Sequence, residues 1–208
     1  MHAPPSPLAG SVTGMSRCPT IETKRLVMRP FAERDLDAYA AILQSEPVRS
    51  AFHLPETIGR WDAWSQMAAW LGQWELRGTG HWALQEKATG SLVGRAGLHH
   101  PARDDWPGVE VGWTLDPDHW GRGYATEAGR RAIDYAFGDL DLDQVCSVIL
   151  PENARSIAVA QRLGFRLSEE RVISHFPSAP HGIWWLDRAA WPSRRATGRA
   201  GEGQSGSA

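Results

Sequence analysis

The sequence predicts a single mixed α/β domain built on one central sheet. A chain of 208 residues, 42% of them hydrophobic, can bury one sizeable core but is short for two full domains. Segments of alternating apolar and polar residues are interleaved with segments whose apolar residues recur every three or four positions. Strand 109–115, a helix and strand 144–150 follow one another, and such a crossover makes its two strands parallel.

The first half of the domain is predicted from periodicity and from the glycines and prolines that end each segment. Gly112 lies inside the predicted strand 109–115 and indicates a β-bulge there. The predicted elements are a strand over 24–31, helices over 33–44 and 58–77, a hairpin of strands 81–87 and 91–99, and strand 109–115.

The second half begins with a glycine-rich turn over 119–125 that opens a helix. The remaining elements are that helix to about residue 137, strand 144–150, helix 153–163, and closing strands 165–176 and 182–187 joined by a hairpin over 174–183. Most of the 11 tryptophans are expected in the core, among them Trp61, Trp64, Trp113 and Trp184.

Composition excludes several classes of protein. The net charge of −2 argues against a dedicated nucleic-acid binder, and no apolar run approaches the ~20 residues that cross a bilayer. Two cysteines make no disulfide framework, and no Cys/His set has zinc-ligand spacing, so we expect no metal and a cytoplasmic protein without a signal peptide. Low-complexity composition predicts a disordered arm over 1–19 and a disordered tail over 193–208, around a folded domain over 20–192.

The most informative segment is 116–128, DPDHWGRGYATEA. A glycine turn between a strand and a helix aims free backbone N–H groups at one point, and the helix dipole adds to the attraction for an anion. The segment lacks the Gly-Lys-Ser/Thr of a Walker loop, and although Gly121, Gly123 and Thr126 nearly fit a dinucleotide fingerprint, no acidic partner for a ribose stands out. A tight strand–helix corner without a ligand is the alternative.

The string WGRGYA at 120–125 resembles the pyrophosphate loop of the GNAT N-acetyltransferase superfamily, within it the RimJ/RimL type of ribosomal-protein N-terminal acetyltransferases. EVGWTL at 110–115, NARS at 153–156 and LGF at 163–165 resemble the same group, in the same order. The resemblance runs from about residue 21 to residue 191. Trp120, at the first position of the loop, differs from the residue that is typical of the wider superfamily. Ala160 occupies the position at which many members have a tyrosine that acts as an acid.

The resemblance implies a GNAT-type domain that uses acetyl-CoA as acyl donor. The pyrophosphate would lie on the backbone of Gly121, Arg122, Gly123, Tyr124, Ala125 and Thr126. The pantetheine arm would pair like an added strand with Val111, Trp113 and Leu115, where strands 109–115 and 144–150 splay apart. Asn153 would hydrogen-bond the pantetheine, cap the following helix, or do both.

For catalysis the resemblance implies direct attack of a primary amine, at a protein N-terminus or on a small molecule, in a ternary complex. Glu110 is the candidate base, or else a surface carboxylate, and Ser156 the candidate donor to the leaving thiolate, or else a serine on the helix surface. His99, Asp104, Asp105 and Trp106 are expected near the acceptor, with the loop over 45–57. A homodimer, a non-catalytic acyl-CoA sensor and a transferase of another acyl group such as succinyl remain open.

Overall fold

The computed structural model describes residues 18–174 and 176–192. The predicted tail 193–208 and residues 1–17 of the predicted arm lie outside the described residues. Cys18 and Pro19 belong to the folded domain: Cys18 is buried, and the carbonyl of Pro19 accepts a hydrogen bond of 2.7 Å from Nε1 of Trp82. The domain therefore begins before the predicted boundary at residue 20.

Eight strands of the described residues form one sheet in the order β1-β2-β3-β4-β5-β6-β8-β7. Only β5 and β6 run parallel among these neighbours, as the crossover predicts. The strands are β1 (Ile21–Glu22), β2 (Leu26–Arg29), β3 (His81–Glu86), β4 (Leu92–His99), β5 (Glu110–Leu115), β6 (Gln144–Ile149), β7 (Arg166–Ile173) and β8 (Phe176–Asp187).

Within 18–174 and 176–192, five α-helices cover the two faces of this sheet. They are α1 (Leu36–Gln44), α2 (Glu46–Phe52), α3 (Arg60–Arg77), α4 (Tyr124–Gly138) and α5 (Ala154–Leu163). Among the described residues no helix combines the length and the hydrophobicity needed to cross a bilayer. The predicted mixed α/β fold class, with one central sheet and flanking helices, is confirmed.

The parallel strands β5 and β6 separate after one paired position. In the part of the chain that the structure describes, Glu110 opposite Cys146 is the single register pair between them. Gly112 forms no bulge against β4, because the ladder from Gly94–Leu115 to His99–Glu110 is continuous. A Cβ atom on Gly112 would lie 3.1 Å from Cε1 of His81, so the glycine makes room for that ring.

The core does not hold all the tryptophans expected there. Trp113 and Trp184 are buried, but Trp61 is 72% exposed and Trp64 is 42% exposed. The two exposed rings stack on each other with centroids 5.2 Å apart. The buried side of α3 is formed instead by Ala63, Met67 and Trp74. The face of α3 that packs on the core is therefore rotated about the helix axis relative to the face that the sequence predicts.

Two further segments differ from the sequence-based expectation. The expected loop over 45–57 contains α2, which has proline near its first position and one buried residue, Val48. The closing hairpin does not turn over 174–183, because β7 ends at Ile173 and β8 already begins at Phe176. Pro177 and Pro180 fit inside β8 because this part of the strand pairs with β7 alone, and its pairing with β6 begins at Gly182.

Candidate active site

The glycine turn before α4 has the backbone of an anion site. Gly121 has φ 74° and Gly123 has φ 80°, a left-handed conformation that glycine adopts without strain. Within the described residues, no backbone N–H of 121–126 donates a hydrogen bond to another part of the backbone. A Cβ atom on Gly121 would meet nothing within 4 Å, so the approach to these N–H groups is open.

Side chains from the bend before β2, from β3 and from α4 hold the turn in place. Arg25 donates a hydrogen bond of 2.8 Å to the carbonyl of Arg122 and one of 2.7 Å to Glu127. The hydroxyl of Tyr124 donates to the carboxylate of Glu86. This hydrogen bond lowers the pKa of Glu86 from its usual value. The first turn of α4 is thus tied to the sheet by two carboxylates.

A cavity of about 1290 Å³ extends from this turn along the separated edge of β5. Its walls include α2, the first turns of α5, and the predicted coenzyme-binding residues Trp113, Leu115, Gly121, Gly123, Tyr124, Ala125 and Asn153. The guanidinium of Arg155 lies over the ring of Trp120, 4.5 Å from its centroid, and lines the cavity next to the turn. The cavity therefore combines free N–H groups, a cation and an open strand edge.

Asn153 caps α5 and also connects it to α2. Its Oδ1 accepts a hydrogen bond of 3.0 Å from the backbone N–H of Ser156, and its Nδ2 donates one of 3.2 Å to the carbonyl of Ala51. Close by, Nε2 of His53 lies 3.0 Å from Oε1 of Glu152. The predicted capping role of Asn153 is confirmed, and these contacts hold the end of α2 over the cavity.

A second cavity of about 500 Å³ lies on the other side of the gap between β5 and β6. Its lining includes Glu110, the predicted base, and His99 and Trp106, which were predicted near the acceptor. Burial raises the pKa of Glu110 to about 7, while a backbone N–H of Val148 at 3.4 Å and the charge of Arg95 act in the opposite direction. Glu110 is therefore a carboxylate of the cavity wall and not an ordinary surface group.

The two aspartates predicted at the acceptor site do not line this cavity. Asp104 is exposed, and Oδ2 of Asp105 accepts a hydrogen bond of 2.6 Å from the backbone N–H of Ser174. The carbonyl of Asp105 accepts another from Arg171 at 3.0 Å. Asp105 thus anchors its loop to the β7–β8 hairpin, and the neighbouring residue in the cavity wall is Arg103.

Sequence reasoning did not identify Arg95 and His81, which also line the second cavity. NH1 of Arg95 donates a hydrogen bond of 2.8 Å to Nδ1 of His81, and Nε of Arg95 donates one of 2.8 Å to the hydroxyl of Tyr39. Burial, and then the charge of Arg95, lower the pKa of His81 well below its usual value. The available sequence signal was an arginine in the otherwise apolar run LVGRAGL.

The two cavities meet where β5 and β6 separate. The residues common to both linings are Ala51, Phe52, Trp113, Thr114, Asn153 and Ser156. A group bound at the glycine turn and extended along β5 would therefore bring its far end next to Glu110. This arrangement allows transfer of a group between two ligands that enter from different sides.

A family model described as an acetyltransferase (GNAT) domain matches residues 25–166. The chain belongs to the GNAT acetyltransferase family. It is an acyl-CoA-dependent N-acetyltransferase of this family, as the sequence predicted. The family uses acetyl-CoA, and its amine acceptors vary among members.

Three individual proteins illustrate the similarity. The chain is 29% identical over 150 residues to the uncharacterized N-acetyltransferase YoaA of Bacillus subtilis, covering 71% of this chain and 83% of that protein. It is 30% identical to an acetyltransferase structure from Agrobacterium tumefaciens, with TM-score 0.71, covering 82% of this chain and 95% of that one. RimJ of Mycobacterium smegmatis, in complex with CoA-disulfide, shares the fold at 19% identity and TM-score 0.63, covering 81% and 84% of the two chains.

Proposed function

We propose that this protein transfers the acetyl group of acetyl-CoA to a primary amine by direct attack in a ternary complex. The observation that carries the proposal is the junction of the two cavities, with the glycine turn in one and Glu110 in the other. The acceptor is a protein N-terminus or a small-molecule amine. The WGRGYA string and the RimJ-like structural neighbours support assigning this chain to the RimJ/RimL type within the family.

The residues of the larger cavity fit acetyl-CoA, which supplies the thioester acyl group when bound. The N–H groups of 121–126 suit a pyrophosphate at a helix N-terminus. Beyond the pair at Glu110, the edge of β5 at Val111, Trp113 and Leu115 faces the gap, and an amide-rich arm can pair there as an added strand. The proposed compartment is the cytoplasm, where the thiols of Cys18 and Cys146, both of them buried, would remain reduced.

Glu110 is the proposed general base. An alkyl ammonium such as that of lysine titrates near ~10.4, so the acceptor must lose a proton before it attacks. A carboxylate with a pKa of about 7 takes up that proton, directly or through a water, more readily than one in its ordinary range. A backbone N–H on the open edge of β5 would stabilise the charge that develops on the thioester oxygen.

Ser156 is the proposed hydrogen-bond donor to the departing sulfur. It lies in the lining shared by the two cavities and within the first turn of α5. Ala160, at the position where many family members have a tyrosine, is fully buried and has no acidic proton to give. The hydroxyl of Ser156 therefore replaces that tyrosine by stabilising the thiolate rather than by protonating it strongly.

The first experiment is a calorimetric titration with acetyl-CoA, with succinyl-CoA and NAD as comparators, followed by transfer assays on amines and N-terminal peptides. We expect acetyl-CoA to bind and Glu110→Gln to retain binding while transfer falls roughly 10²- to 10⁴-fold. Glu170→Gln, on exposed β7, is the matched control. Absence of acyl-CoA binding, a preference for succinyl-CoA, or unimpaired transfer by Glu110→Gln would overturn the corresponding part of the proposal.

A further inference from the structure

Arg95 is held in a fixed position in the wall of the smaller cavity. Its Nε donates to the hydroxyl of Tyr39 at 2.8 Å, and that hydroxyl donates to Oε1 of Gln66 at 2.7 Å. Its NH1 donates to Nδ1 of His81 at 2.8 Å, and its guanidinium lies over the ring of Trp70, 5.0 Å from the centroid. Arg95 is thus a positioned cation rather than a mobile surface side chain.

The direct contacts of Arg95 are with neutral groups, the hydroxyl of Tyr39, the imidazole of His81 and the ring of Trp70. Arginine can only donate hydrogen bonds, so Nδ1 of His81 accepts, and His81 is neutral with its proton on Nε2. Within residues 18–174 and 176–192, Arg95 forms no ion pair with a carboxylate, and its NH2 group donates no hydrogen bond. Unused N–H donors of a fixed cation therefore line the cavity.

The described wall of the smaller cavity carries two guanidinium groups, those of Arg95 and Arg103, and one carboxylate, that of Glu110. Burial is the main reason that the pKa values of His81 and His181, two histidines of the wall, are lowered, so their imidazoles are neutral at pH 7. The wall is therefore net positive. An acceptor with a second cation is repelled there, and an acceptor with an oxyanion is attracted.

Strand register places Arg95 and Glu110 on one face of the sheet. Arg95 pairs with Thr114, and Glu110 pairs with His99, four residues along β4, which corresponds to about 14 Å between backbones. The paired residues between them are Gly97 and Gly112, so β4 and β5 contribute no side chain to that part of the floor, and the ring of His81 from β3 packs there. The side chain of Arg95 extends toward this space, because its NH1 reaches the ring of His81 that packs on Gly112.

We propose that the acceptor is a primary amine that also carries a carboxylate, with the amine at Glu110 and the carboxylate at Arg95. This assignment rests on the proposed function, because it identifies the substrate class of the same site. Aromatic rings of Trp70, Trp106 and Phe176 line the cavity and suit an apolar body between or beside the two polar groups. The cavity volume of about 500 Å³ is within the range of small-molecule sites and accommodates such an acceptor.

The test measures binding of the acetylated products. It therefore does not depend on turnover, and the different amine basicities of the parent acids and amides do not affect it. The protein with CoA is titrated calorimetrically with the N-acetyl derivatives of glycine, methionine, phenylalanine and glutamate, and with the corresponding N-acetyl primary amides. We expect at least one acid to bind roughly 10- to 100-fold more tightly than its amide, as is usual for charge-assisted hydrogen bonds. Arg95→Met should abolish this preference, and Arg103→Met should retain it.

The outcomes separate this inference from the proposed function. Equal binding of acids and amides by the wild-type protein, no binding of any acid, or loss of the preference in Arg103→Met instead of Arg95→Met would overturn the inference. The wild-type comparison holds even if Arg95→Met does not fold, and Arg95→Lys, which keeps the charge, should then give an intermediate preference. Acid preference without transfer to the parent amino acids would instead overturn the proposed amine transfer.

Discussion

Replacement of Glu110 by glutamine should change how the stability of the fold depends on pH. Burial raises the pKa of this carboxyl from its ordinary 4.5 to about 7 in the folded protein. Between these two values the folded chain binds more protons at this site than the unfolded chain. The stability of the wild type therefore falls as pH rises through this window, and a neutral glutamine removes that part of the loss.

The size of the effect follows from the shift. One pKa unit corresponds to about 1.36 kcal/mol, so a rise from pH 5 to pH 8.5 costs the wild type about 2.5 kcal/mol at this site. Glu110 is partly accessible from the cavity, and solvent there reduces the penalty. We expect Glu110→Gln to gain about 1–2.5 kcal/mol relative to wild type between these two pH values.

Urea denaturation of both proteins at pH 5 and pH 8.5 measures this double difference, in which the other titrating groups cancel. Glu170→Gln, from the exposed side of β7, serves as the control and should show no gain. In the wild type, kcat/KM should rise with pH through about 7 as Glu110 loses its proton. A constant stability difference at the two pH values would refute the argument that Glu110 is buried as an acid.

Three further substitutions test the geometry. Asn153→Ala loses the helix cap and the tie to α2, and should lower the unfolding free energy by about 1 kcal/mol in urea titrations; an unchanged value would contradict the capping role. Gly123→Ala places a side chain at φ 80° and should cost about 1–2 kcal/mol and weaken acetyl-CoA binding by calorimetry, whereas Gly138→Ala at the other end of α4 should do neither. Gly112→Ala brings a Cβ atom to 3.1 Å from the His81 ring, so the melting temperature should fall, and unaltered stability and transfer would show that the ring can move freely.

Local patterns predicted most of the fold, and their failures have physical reasons. The spacing of Trp61 and Trp64 is that of a helix face, but periodicity fixes the stripe and not its rotation, and small residues such as Ala63 face the core instead. Helix α2 buries Val48 alone, so it has no apolar stripe to detect. The β7–β8 turn was misplaced because Pro177 and Pro180 resemble turn residues, although they lie on a strand segment with one free edge.

The candidate site likewise contains residues that the sequence predicts and residues that it does not. The glycine turn, Glu110 and Ser156 lie in short motifs that can be read from neighbouring residues, and in the structure they line the two adjoining cavities. Arg95 contacts His81 and Tyr39 and so joins β4 to β3 and α1. These contacts span sequence separations of 14 and 56 residues, and no pattern of residue spacing predicts them. Conversely, the position of Asp105 in its loop predicted a residue that contacts the acceptor, but its carboxylate accepts a hydrogen bond from the backbone N–H of Ser174.

Helix α2 has a consequence for how the two substrates influence each other. Ala51 and Phe52 belong to the walls of both cavities, and Asn153 and Glu152 fasten this end of the helix to α5. A shift of these residues on binding of one substrate would change the wall that the other substrate meets. Any factor by which the donor then changes the affinity for the acceptor must equal the factor by which the acceptor changes the affinity for the donor.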